Sequence, residues 1–325
     1  MAAIYNGVMK SIFKLDKSYD IIISMTWEMN HEHGVSGHIF EIIDYFFILK
    51  DKFKVGIFFG ETILNWEDFE KIIKSKYNFS KKELEIYKKN TFYCNRPNVL
   101  MGKNILFVDG ALKTRLLHNG TVISFKNIFS FKCSNHCNHT IFDIPYKVHL
   151  LSDKRVYSKY IPEERKIAID YVKKILFTKL KKCKDVKTDT ALLYLTSNCR
   201  YVSPKHVENI IEKYNFQKYI LITNKPELYT DLSNNIQVLK PGVDNIFELF
   251  DCYIYTPVKD RFDCSPRFIA ECKFFNKRVI YEGINRNYLK RDTGLKYRIQ
   301  DVKNRFKYLS LNEKDEIFNI INERI

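Results

Sequence analysis

Apolar residues fall along this chain in short blocks that alternate between two periods. Residues 19–24 (YDIIIS) form a β-branched run that predicts a buried strand. A polar loop containing Gly34 and Gly37 follows, and residues 39–49 then carry apolar side chains at helical spacing. Residues 54–59 (KVGIFF) are again strand-like. Strand, loop, helix and strand in this order predict the opening unit of a parallel α/β sheet. Residues 65–76 and 81–89 read as surface helices, and 104–108 (NILFV) as a buried strand ending at Asp109-Gly110. Residues 121–150 hold short strand-like pieces with no helical period. The longest apolar run, 42–49, is interrupted by Asp44 and falls far short of the roughly 20 residues a membrane span needs.

Residues 162–182 form a long amphipathic segment, with Ile169, Val172, Leu176 and Leu180 at three- and four-residue steps. Pro162 suits a first helical turn, and Glu163 and Glu164 suit the positive helix N-terminus. A Lys-rich stretch to residue 189 then reads as a linker. The second half restarts the pattern, with strands at 191–195, 219–223, 236–239, 252–255 and 278–281. Helices are expected at 203–214, capped by Ser203 before Pro204, at 245–250, at 267–275 and from about residue 312. Two successive halves of this kind predict an α/β chain of two Rossmann-like domains facing across a cleft, residues 1–165 and 166–325. A length of 325 residues accommodates both cores.

Composition narrows the partners. The chain has 54 Lys and Arg against 38 Asp and Glu, a net charge of +16, which points to a polyanion. Residues 154–184 and 273–307 each hold 11 basic against 3 acidic residues, so these two stretches account for the whole excess. The second interleaves aromatics, which suits nucleic acid through phosphate contacts and base stacking, or an anionic membrane surface. Eight scattered cysteines fit a reduced, cytoplasmic protein, and the first residues do not read as a signal peptide.

Candidate chemistry gathers where predicted strands end. In residues 251–282 a strand leads to a loop ending in Ser265-Pro266 at a helix start, a ready anion site. Arg267 adds a guanidinium fork for a diphosphate, and Glu271, one turn on, offers a carboxylate to a ribose diol. The polar loop 196–200 contributes Ser197 and Arg200. In the first half, the loop 25–38 (MTWEMNHEHGVSGH) offers Gly34 and Gly37, with His31, His33, His38, Glu28 and Glu32 as bases or phosphate ligands. Asp109 is the alternative base, with Arg115 placed to orient it. Cys133, His136, Cys137 and His139 crowd four potential zinc ligands into seven residues, whereas structural zinc sites draw on two separated pairs.

The segment 251–282, with Lys277-Arg278-Val279-Ile280 as its closing strand, resembles the donor-binding segment of nucleotide-sugar glycosyltransferases of the GT-B fold. In that family two acidic residues often stand eight positions apart. Glu271 matches the second, with Asp263 eight positions before it and Cys264 seven. The resemblance implies that Ser197, Arg200, Ser265, Arg267 and Glu271 bind the donor, a UDP-sugar by preference. It also implies that the Pro241-Gly242-Val243 turn lies near the donor base and that no metal or other cofactor is required. The strand 105–108 followed by Asp109 is similar to the strand-then-Asp of phage DNA glucosyltransferases, which implies that Asp109 activates the acceptor hydroxyl, with His33 as the other candidate base. Gly34, Gly37 and His38 would then line the acceptor, with 5-hydroxymethylcytosine in DNA the acceptor of choice. A glycosyltransferase acting on a lipid-linked or surface polysaccharide and a non-catalytic α/β nucleic-acid-binding protein are the rival readings.

Overall fold

The computed structural model describes residues 3–5, 8–10, 12–13, 19–25, 37–59, 66–93, 99–108, 122–131, 146–151, 163–169, 171, 173–184, 187–195, 202–256, 267–282, 289–290, 296–297 and 316–324. Strands β1 (Ala3–Tyr5) and β2 (Val8–Lys10) form an antiparallel pair. The first sheet is built from β3 (Ile12–Phe13), β4 (Ile21–Met25), β5 (Val55–Phe59), β6 (Thr91–Tyr93), β7 (Val99–Phe107), β8 (Val122–Ser130), β9 (Lys147–Leu151) and β10 (Lys166–Ile169). Every pairing in it is parallel, in the order β10-β9-β8-β7-β4-β5-β6, with β3 beside the start of β7. Helices α1 (Gly37–Leu49), α2 (Trp66–Lys76) and α3 (Lys81–Lys89) connect its early strands.

The second sheet contains β11 (Thr190–Tyr194), β12 (Lys218–Ile222), β13 (Ile236–Leu239), β14 (Cys252–Tyr255) and β15 (Arg278–Tyr281), with helices α4 (Pro204–Lys213) and α5 (Arg267–Phe274). It too is wholly parallel, in the order β13-β12-β11-β14-β15. The short strands β16 (Leu289–Lys290) and β17 (Lys296–Tyr297) pair antiparallel, and α6 (Glu316–Asn322) follows. The chain is therefore α/β with two Rossmann-like sheets, as the alternating pattern predicts. Ser203 caps α4 by accepting from the His206 amide, as the Ser-Pro signal implies. Ser80 and Glu83 form a capping box on α3.

The expected helix over 162–182 is a correction. Residues Glu163–Arg165 make a single 3₁₀ turn, Lys166–Ile169 is a strand, and Phe177–Lys179 is another 3₁₀ turn. Two β-branched residues, Ile167 and Ile169, pair in parallel with β9 and extend the sheet at its open edge. Beyond them, Tyr171, Ile175, Leu176, Phe177 and Leu180 are all buried in one apolar cluster with side chains of both sheets, among them Ile23, Leu106, Leu192 and Tyr253. Their three- and four-residue spacing belongs to an extended strap between two bodies. A helix would satisfy its own amides, whereas here α1 does so: the Lys174 amide donates to Tyr45 Oη at 2.9 Å and the Leu176 amide to Asp44 Oδ1 at 3.1 Å. The expected helix over 245–250 shrinks to a 3₁₀ turn at Ile246–Glu248, entered through Asn245 in the left-handed region (φ 50°). No helix among the described residues is long and apolar enough to cross a membrane.

Candidate functional site

Strand order reverses once in each sheet, and ligands of open α/β sheets bind outside the carboxyl ends at that reversal. In the first sheet the reversal lies between β4 and β7, which pair in parallel through Ser24 and Phe107. In the second it lies between β11 and β14, paired through Leu192 and Tyr253. The chain segments 26–36 and 109–121 therefore follow neighbouring carboxyl ends in one sheet, and segments 196–201 and 257–266 do so in the other. Those four segments carry His33, Gly34, Asp109, Ser197, Arg200 and Ser265, which lie outside the described residues. So do His31, Glu28, Glu32, Arg115, Cys264, and the group Cys133, His136, Cys137 and His139. Among the described residues no cluster of His, Cys, Asp and Glu is arranged to hold a metal ion.

Arg267 and Glu271 are described, and both reach across to the first sheet's helices. Arg267 Nη1 donates to Asp44 Oδ2 on α1, Nε to Glu271 Oε1 at 2.6 Å, and Nη2 to the Tyr77 hydroxyl at 2.7 Å. The Tyr77 hydroxyl in turn donates to Asp44 Oδ1 at 2.7 Å, so Asp44 is held by Arg267, Tyr77 and the Leu176 amide. Lys76, the last residue of α2, pairs with Glu271 Oε1 at 2.6 Å. The Phe40 ring lies 4.3 Å from the Lys76 ammonium and 5.6 Å from the Arg267 guanidinium. Asp44 is wholly buried and Glu271 is 1 % exposed. Burial pushes the Glu271 carboxyl up, but Lys76 and Arg267 more than offset it and hold the group below the usual carboxylate range. Its second oxygen, Oε2, is buried and accepts no hydrogen bond among the described residues.

A second charged group stands at the start of α1, directly after segment 26–36. His38 Nδ1 lies 3.0 Å from Glu41 Oε2, and Lys173 of the strap donates to Glu41 Oε1 at 2.8 Å. Burial alone would raise the Glu41 carboxyl, yet Lys173 and His38 win and hold it well below the ordinary value. Glu41 thus fixes the imidazole at the helix start, with Gly37 opening the same turn. At the far side of the second sheet, Gly242 adopts φ 99° in the turn after β13, a conformation that favours glycine.

Sequence reasoning missed Asp44, Lys76, Tyr77, Glu41 and Lys173. One signal was visible: Asp44 is the single charge inside the apolar run 42–49, and a carboxylate on a buried helix face needs a cation.

Comparison with known proteins adds little. No protein-family model matches the chain, and no curated protein is similar to it in sequence. Among solved structures it is similar to a UDP-N-acetylglucosamine 2-epimerase from Rickettsia bellii, at 13% identity and a TM-score of 0.41 over 93% of this chain and 94% of that one.

Proposed function

We propose that the chain is a nucleotide-sugar glycosyltransferase that uses no metal, with the donor on the second sheet and the acceptor on the first. The observation that supports this reading is that the strands preceding the candidate segments, β4, β7, β11 and β14, flank both sheet reversals, where open α/β sheets take their ligands. Ser197, Arg200, Ser265 and Arg267 would hold the diphosphate, with a UDP-sugar preferred. Glu271 supports the ribose assignment: Oε1 is pinned by two cations, while Oε2 is a buried acceptor without a donor among the described residues. A ribose diol supplies the O–H donors that this oxygen lacks. Asp109 is the proposed base, drawing the proton from the acceptor hydroxyl while Arg267 and the start of α5 offset charge on the departing diphosphate. His33 is the alternative base, and His38, held by Glu41, would border the acceptor.

For the acceptor, a hydroxylated base in DNA remains the reading to test first. It rests on the two basic stretches, and part of that charge is committed inside the protein: Lys166 pairs with Glu163, Lys173 with Glu41 and Lys179 with Glu83.

The deciding experiment incubates the protein with a panel of nucleotide sugars and hydroxymethylated DNA and reads transfer by mass spectrometry, alongside thermal protection by UDP. We expect UDP to raise the melting temperature, and Asp109→Ala to abolish transfer while keeping that protection. No protection by any nucleoside diphosphate, together with no turnover, would remove the enzyme reading. Transfer to polysaccharide but not to DNA would leave the enzyme and change its acceptor.

A further inference from the structure

The first sheet has a second polar feature, remote from both reversals. Near the starting ends of β9 and β10 a cavity of about 650 Å³ is lined by Lys126 of β8, Lys147 and His149 of β9, Arg165 before β10, and Glu323 and Arg324 after α6. Its wall carries four cations against two carboxylates, and Glu323 is already paired with Arg324 at 2.8 Å. Lys126, Lys147 and Arg165 form no ion pair among the described residues, and Arg165 is held over the Tyr146 ring at 4.6 Å. The wall therefore presents cationic groups to whatever enters it.

Behind them runs a directional chain of side-chain hydrogen bonds across three neighbouring strands. Asn104 Nδ2 donates to the Asp20 carbonyl at 2.8 Å. Asn127 Nδ2 donates to Asn104 Oδ1 at 3.0 Å and to the Arg324 carbonyl at 2.9 Å, so both its amide hydrogens are used. Asn127 Oδ1 is left as an acceptor, and the imidazole nitrogen facing it, His149 Nε2 at 3.1 Å, must carry the hydrogen. The tautomer is thereby set, and Nδ1 of His149 keeps a bare lone pair. That atom is buried and has no hydrogen-bond partner among the described residues. Stacking on Phe129 at 4.6 Å locks the ring plane. Burial, with Arg324 and Lys147 nearby, lowers the imidazole pKa to about 4, so the ring stays a neutral acceptor.

We propose that this cavity is a second ligand site for a small anion that brings its own hydroxyl donors, and that a sugar phosphate is the chemical class it takes. The phosphate meets Lys126, Lys147, Arg165 and Arg324, and a sugar hydroxyl donates to His149 Nδ1. Inorganic phosphate alone meets only the cations, and an uncharged sugar alone meets only His149 Nδ1.

The test titrates the full chain, with ¹⁵N-labelled histidine, with glucose 6-phosphate, inorganic phosphate and glucose, reading heat and the His149 Nδ1 resonance. His149→Phe assigns that resonance, and Lys126→Gln/Lys147→Gln, at exposed positions without ion pairs, tests the anion contact without disturbing the core. We expect glucose 6-phosphate to bind more tightly than either fragment and to move the Nδ1 resonance. The double variant should weaken it by about tenfold or more. Glucose or phosphate binding as tightly as the sugar phosphate, an unmoved Nδ1, or unchanged affinity in the double variant would each overturn the proposal. A repeat with saturating UDP separates this site from the proposed donor site: binding must persist, and its loss would assign the ligand to the other cleft.

Discussion

Arg267 serves as the hub of a buried charge cluster whose members come from α1, α2 and α5. Removing one member leaves the others charged and out of water, which costs far more than the pair itself contributes. Arg267→Met is therefore expected to lower stability by about 3–5 kcal/mol, read from urea unfolding. A loss within the range of an exposed ion pair, about 1 kcal/mol or less, would contradict the cluster. His149 gives a second expectation at this scale. Its folded-state pKa of about 4 lies below the unfolded value of 6.5, so the folded state binds its proton less readily. The linked stability is fully present above pH 6.5 and is lost as pH falls toward 4, reaching about 3 kcal/mol. His149→Phe should flatten the stability profile between those limits, and the carboxylates Glu41 and Glu271, whose pKa values are lowered from 4.5, should lose their contribution as pH falls through and below that value, overlapping only the acid end of the window. The chemical types at Arg267 and Glu271 were legible in the sequence because they sit one helical turn apart. Their partners were not, since Asp44 lies 223 residues from Arg267 and Tyr77 lies 190 from it.

At the scale of elements, the strands and helices with a clean period were readable: α3, β13, β14 and β15 fall on the residues their patterns predict. The strap 171–184 was not, because burial from two sides produces the same spacing as one helical face. A closer feature of the first sheet also escaped the pattern. Gly102 in β7 stands opposite Phe125 in β8, and a Cβ placed on Gly102 would come within 2.6 Å of the Phe125 ring. Phe125 is itself buried and cannot swing away freely. Gly102→Ala should destabilise by about 1–3 kcal/mol, and Phe125→Leu in the same chain should recover part of that loss. Equal stability of Gly102→Ala and the parent protein would show that the ring moves at no cost.

Over the whole molecule the two sheets share one apolar cluster through the strap and α5, and the charge cluster crosses the same boundary. Such an interface predicts that both units unfold together. Both tryptophans, at 27 and 66, lie in the first half, while Cys252 and Cys272 are buried in the second. Fluorescence and thiol labelling at those two cysteines should therefore trace coincident transitions in urea. Separate midpoints would mean that the two sheets are thermodynamically independent.

The last described helix adds a consequence for how the protein is made. Phe318 of α6 packs against Phe53 with ring centroids 6.1 Å apart, Lys52 lies over the Phe318 ring, and the Arg324 carbonyl takes a hydrogen from Asn127. The first sheet is thus closed by residues synthesised after the entire second sheet. On the ribosome the N-terminal half would wait with its floor open, exposing Phe53 and an unsatisfied Asn127, until Arg324, 155 residues beyond the end of β10 at Ile169, had emerged. Emergence of α6, and not completion of the first sheet, would mark the moment at which this half becomes native.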